Sequence, residues 1–240
     1  MDVTNTTSLD QIHNLFIDKI KHEKGILWKL GVYSKIVKNY KALEQGKLIE
    51  EFFRELMNAT DLDTDEKSVS VTGTNGDYRV NSGIDVNVNA KSIIQRKGVI
   101  LHNGNLGSKQ VKVFDLSRNT KNIPISELLE RIDYEEVFQV YALDITKLKG
   151  HVFITSLNEM GKVKLLSRGI SNFNEDELKK SIESLFKFNG SSHYLINSQD
   201  MINAARTYNR VYSFEIDQDT VNEYVNKKTV IKESILNKIK

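Results

Sequence analysis

The sequence predicts an α/β fold in which a central mixed β-sheet is flanked by helices, with helical N- and C-terminal regions. Three observations carry this prediction. Apolar residues recur at helical spacing up to about residue 58. The period then switches to strict alternation, clearest over residues 84–91. Beyond that, short β-rich segments are interleaved with helical ones.

The elements follow in order. Ser8 is placed to cap a helix starting at Leu9, with Ile12, Leu15, Phe16 and Ile20 on one face. Apolar positions continue at Ile26, Leu27, Leu30, Val32, Ile36 and Val37. A second strong helix is expected over residues 40–58, where Leu43, Leu48, Ile49, Phe52, Phe53 and Leu56 form a broad apolar face. Residues 61–67 read as an acidic turn region. Val69 and Val71 suggest a strand, and residues 77–80 a second short one. In residues 84–91, Ile84, Val86, Val88 and Ala90 alternate with Asp85, Asn87, Asn89 and Lys91, so the two sets face opposite ways. Residues 95–98 read as a turn. Strands are expected at 111–114, 136–143 and 151–155, with 163–166 as a hairpin partner, and a late strand at 210–216. Helices are expected at 125–132, 175–186, 198–205 and from 219 to the C-terminus.

This gives one domain over residues 1–240. Residues 1–60 form a helical N-terminal region, 61–170 the sheet core that carries the candidate site, and 171–240 a mostly helical C-terminal region. The balance of 39% hydrophobic and 28% charged residues is that of a globular chain rather than a disordered one. There is no cysteine, which excludes disulfides, thiol chemistry and cysteine-ligated zinc. The N-terminus lacks a secretory signal pattern, and no apolar run approaches a membrane span, so a cytoplasmic location is expected. The net charge of +2 is too small to imply a polyanionic partner by itself. His13, His22, His102, His151 and His193 show no zinc-ligand spacing, and no Gly-x-Ser-x-Gly elbow, Walker loop or dinucleotide fingerprint is present.

The segment from Gly76-Asp77 to Asn89-Ala90-Lys91 carries the chemistry. Phosphodiester hydrolysis needs a hard divalent cation held by oxygen ligands beside the scissile phosphate. A nearby lysine can orient the attacking water and neutralise developing charge. A twisted hairpin assembles these groups compactly. Here Asp77 starts one short strand. After the turn around Asn81-Ser82-Gly83, the alternating strand ends in Asn89-Ala90-Lys91, with the Ala90 carbonyl as a further oxygen.

With Gly46-Lys47-Leu48-Ile49-Glu50 in the preceding helix, residues 40–95 resemble the PD-(D/E)xK nucleases, specifically type II restriction endonucleases. The resemblance implies a restriction-endonuclease-like fold, Mg²⁺ as cofactor and cleavage of double-stranded DNA. A two-fold homodimer is expected, since cutting both strands of a palindrome needs two related sites. Asp77 matches the metal-binding aspartate, Lys91 the catalytic lysine, and Glu50 the helix glutamate that joins the metal shell directly or through water. Two positions depart from the motif. Gly76 stands for its proline. Asn89 stands for its second acid, so either the amide oxygen ligates, or Asp85 or Glu50 supplies the charge, or the site is inactivated. A second alignment pairs Asp85 with Gln95-Arg96-Lys97.

Side chains suited to phosphate or base contact lie downstream. They are Gln95, Arg96 and Lys97, then Asn103, Asn105 and Lys109, then Arg118, Asn119 and Lys121. Arg206, Asn209 and Arg210 form a weaker basic cluster. The lysines at 227, 228, 232, 238 and 240 fit a solvated helix end. Two other functions fit the same residues. One is a non-catalytic DNA-binding protein on this fold. The other is a non-nuclease α/β interaction protein, in which the polar row from Asp85 to Lys91 is the solvated face of an edge strand.

Overall fold

The structure is a computed structural model that describes residues 8–22, 53–58, 60–61, 78–80, 86–95, 110–115, 124–130, 137–144, 149–188 and 193–215. Its elements are α1 (Ser8–His22), β1 (Thr60–Asp61), β2 (Tyr78–Val80), β3 (Val86–Gln95), β4 (Gln110–Asp115), α2 (Ile125–Leu129), β5 (Val137–Asp144) and β6 (Lys149–Ser156). They continue with α3 (Leu157–Ser167), α4 (Glu175–Glu183), β7 (Phe186–Phe188), β8 (His193–Asn197), α5 (Ser198–Thr207) and β9 (Val211–Glu215).

The larger sheet has the order β1-β2-β3-β5-β6-β9. It is mixed, as the sequence predicts. β3 and β5 run parallel, while every other neighbouring pair in it is antiparallel. The parallel pair needs a crossover, and β4 and α2 lie within that connection. A smaller antiparallel sheet has the order β4-β8-β7.

The larger sheet is the middle of three layers. Phe138 and Val140 alternate along β5, pair in register with Thr155 and Phe153 of β6, and are fully buried. They share one core with Leu157 and Met160 of α3, Ile182 of α4, Ile196 of β8, and Met201, Ile202, Ala204 and Ala205 of α5. The opposite face carries Val152, paired in register with Tyr212. There the Phe16 ring of α1 meets Tyr212 edge-on at 6.3 Å and Phe53 at 5.9 Å. Leu9, Ile12, Phe16 and Ile20 are buried along α1, at the spacing of three and four that one helix face requires. Val137 is buried as well as Phe138, so β5 is covered on both sides.

Local chemistry fixes the helix ends. The Asn174 side chain accepts from the Glu177 N–H, and the Glu177 carboxylate accepts from the Asn174 N–H, each at 2.9 Å, which closes a capping box on α4. The Ser156 and Asn197 side chains cap α3 and α5. Both of these helices end in the same hydrogen-bonded closure. After α3, Gly169 at φ +80° donates to Leu166 and Ile170 donates to Leu165. After α5, Asn209 at φ +57° donates to Arg206, and Arg210 donates to Ala205 at 2.7 Å. α3 and α4 cross closely at Gly161. A Cβ there would lie 2.6 Å from Ile182 Cγ1, and Ser181 Oγ donates to the Gly161 carbonyl at 2.9 Å.

Several expectations need correction. Residues 163–166 are not a hairpin partner of β6; they lie within α3, and the strand beside β6 is β9. Leu157, Met160, Gly161 and Leu165 are all buried at helical spacing, and that period outweighs the short β-like run Val163-Lys164-Leu165-Leu166. The helix expected over 175–186 stops at Glu183, and Phe186–Phe188 pairs as a strand with β8. Residues 171–240 are therefore less helical than expected over their described part, where α4 and α5 alternate with β7, β8 and β9. β3 runs on through Gln95 rather than turning there. The helix at 125–132 is described only as far as Leu129, with a turn at residue 130. Of the helix expected over 40–58, residues 53–56 are helical, and residues 40–52 lie outside the described residues. So do the Val69–Val71 strand and the C-terminal helix from 219. No described helix is long and apolar enough to cross a membrane.

Candidate functional site

β2 and β3 form an antiparallel pair with Tyr78 opposite Val88, Arg79 opposite Asn87 and Val80 opposite Val86. Val80 and Val88 are fully buried, so this hairpin is anchored by its apolar positions as the alternation predicts. β3 is an interior strand. On its other side it pairs with β5, with Asn89 opposite Phe138, Ala90 opposite Gln139 and Lys91 opposite Val140. An edge strand therefore does not account for the polar row along β3.

Asn89, Ala90, Lys91 and Gln95 are thus placed on β3 at the level of backbone. Asp77 and Glu50, the expected carboxylate ligands, lie outside the described residues. The same holds for Asp85, Arg96, Lys97, Asn103, Asn105, Lys109, Arg118, Asn119 and Lys121. Among the described residues, no three His, Asp or Glu side chains gather in a way that would hold a metal ion.

A different polar cluster is defined at the level of side chains. Arg210 follows the αL turn at Asn209, and its side chain is only 3% exposed. Its Nη1 donates to Glu159 Oε2 at 2.6 Å, and its Nε donates to Asp10 Oδ1 at 2.7 Å. The guanidinium carbon also sits 5.1 Å from the centroid of the Tyr208 ring. Burial alone would push this guanidinium down, but the hydrogen bonds and charges of Glu159 and Asp10 outweigh it and hold it above its ordinary value. His13, one turn along α1 from Asp10, is pushed down by burial and by the Arg210 charge, against the pull of Asp10.

The expected grouping of Arg206, Asn209 and Arg210 as one basic surface cluster therefore fails at Arg210, which turns inward. Its partners lie 51 and 200 residues away in the chain, beyond the reach of any local pattern. The one local signal was Asp10, an acid set directly beside the apolar stripe of α1.

A second basic grouping is modest. Lys164 donates to the Ser184 carbonyl at the end of α4, at 2.8 Å. Burial lowers its pKa first, with Asp200 opposing and Arg168 and Lys187 adding to the depression.

No protein-family model, curated protein or solved structure matches this chain.

Proposed function

We propose that the chain is a Mg²⁺-dependent type II restriction endonuclease of restriction-endonuclease-like fold. It would cleave double-stranded DNA at a specific, palindromic site as a two-fold homodimer. The observation that carries this reading is the β2–β3 register. Tyr78 and Val88 are cross-strand partners. Asp77 immediately precedes the first, and Asn89 immediately follows the second. Each adjoining Cα is one peptide unit, about 3.8 Å, from its paired neighbour. Lys91 stands two residues further along an interior strand, and a spacing of two keeps side chains on one face. A mixed sheet with helices on both faces supports the same reading.

The donor set suits a hard cation. Asp77, Asn89, the Ala90 carbonyl and Glu50 all offer oxygen, as Mg²⁺ requires. Bound there, Mg²⁺ would supply the Lewis acid that polarises the scissile phosphate. Lys91 orients the attacking water and offsets charge developing on the phosphate oxygens. Gln95, at the end of β3, and Arg96 and Lys97, next in the sequence, would contact DNA beside the cut. Asn89 removes one negative charge from the motif's usual pair, so the site binds its cation more weakly than a two-carboxylate site.

Digestion of mixed-sequence DNA with and without Mg²⁺ tests this. Discrete fragments should appear only with Mg²⁺ and disappear in Asp77→Ala. An absence of both fragments and binding overturns the nuclease reading, whereas cleavage retained in Asp77→Ala overturns the site assignment. Asn89 also favours a second reading, a DNA-binding protein without cleavage. That reading predicts salt-sensitive, metal-independent binding. A gain of cleavage in Asn89→Asp would decide for a weakened nuclease.

A further inference from the structure

We propose that α1 is an acid-released clip on the larger sheet, opened by protonation of His13, which lies one helical turn from the carboxylate that Arg210 holds. The geometry is specific. The described contacts of α1 with the sheet include an apolar stripe and the ion pair of Asp10 with Arg210. The stripe's gain on docking is offset by the entropy of ordering fifteen residues, so the charge cluster weighs heavily in the balance.

That cluster has a fixed electrostatic sense. Among the described residues, the charged groups that bear on His13 are Asp10 on α1 and Arg210 on the strand side, with Glu159 of α3 bonded to Arg210. Burial is the larger obstacle to a charged imidazole at His13, and the Arg210 guanidinium, which cannot release its proton, adds to it, with Asp10 opposing both. The docked helix therefore binds a proton less readily than the released one. Docking is at full strength above the ordinary histidine value of 6.5 and weakens as pH falls through it. Glu159 stays bonded to Arg210 on the inner side, so loss of α1 leaves that buried pair intact. Release uncovers the sheet face that bears Val152 and Tyr212.

The lack of cysteine allows a single spin label to be placed at will. Asn14→Cys puts it on the exposed side of α1, and Lys180→Cys puts a control on α4. Mobility is read by electron paramagnetic resonance on the full chain at about pH 7.5 and about pH 5.5, either side of the histidine range. The mobile fraction at residue 14 should rise several-fold at the lower pH while the label at 180 is unchanged. His13→Gln and His13→Phe should each abolish the rise. A flat response at residue 14, a rise that survives both substitutions, or equal loosening at both labels overturns the clip.

Discussion

α3 and α5 end in the same hydrogen-bonded closure, and their sequels differ completely. At α3 the αL position is Gly169, with open space where a Cβ would be, and the chain goes on through exposed residues 170–172 and the half-buried Phe173 to Asn174. At α5 the αL position is Asn209, and the next residue is the buried Arg210. One turn merely stops a helix. The other stops a helix and also aims a guanidinium at Glu159 and Asp10. A local backbone motif thus takes its importance from the side chain that follows it.

The largest effect should come from removing that side chain. Arg210→Ala takes from Glu159 the guanidinium that donates to it at 2.6 Å, in a site where the carboxylate is only 9% exposed. A loss of about 3–5 kcal/mol is expected, read as a lower urea midpoint at unchanged slope. Asp10 is 34% exposed and adds little of this, because solvent screens it.

The two turns can then be compared directly. Gly169→Ala puts a Cβ at positive φ and should cost about 1 kcal/mol. Asn209→Ala has a smaller backbone increment, since asparagine already bears part of the αL strain. It should nevertheless cost more than Gly169→Ala, because it disturbs the aim of Arg210. In an Arg210→Ala background that excess should vanish. Equal costs in both backgrounds would show that the turn and the charge cluster are independent. The smallest effect belongs to Asn209→Gly, where relief of strain and added unfolded-state freedom nearly cancel, within about 0.5 kcal/mol.

The contrast also shows what a sequence can disclose. Of the stripe Ile12, Leu15, Phe16 and Ile20, all but the half-buried Leu15 are buried, and it was legible because a helix buries neighbours three and four apart. The alternation into Lys91 was legible for the same kind of reason, and Val88 is buried as it requires. Phe186–Phe188 was not legible as a strand. Its pairing depends on Tyr194, whose ring lies 6.1 Å from Phe186 and 5.3 Å from Phe188. Arg210 looked like a surface cation because its anionic partners are remote in sequence. Of the candidate site, the β3 positions were foreseen and are placed as backbone. The cleavage experiments test whether Asp77 and Glu50 converge on them.

The clasp between Asp10 and Arg210 spans 200 residues. A ribosome adding about 5–20 residues per second takes on the order of 10–40 s to cover that span. Throughout that interval α1 has been made, yet Arg210 has not. Until then the helix's apolar stripe has only earlier partners to rest on, Phe53 and β6 among them.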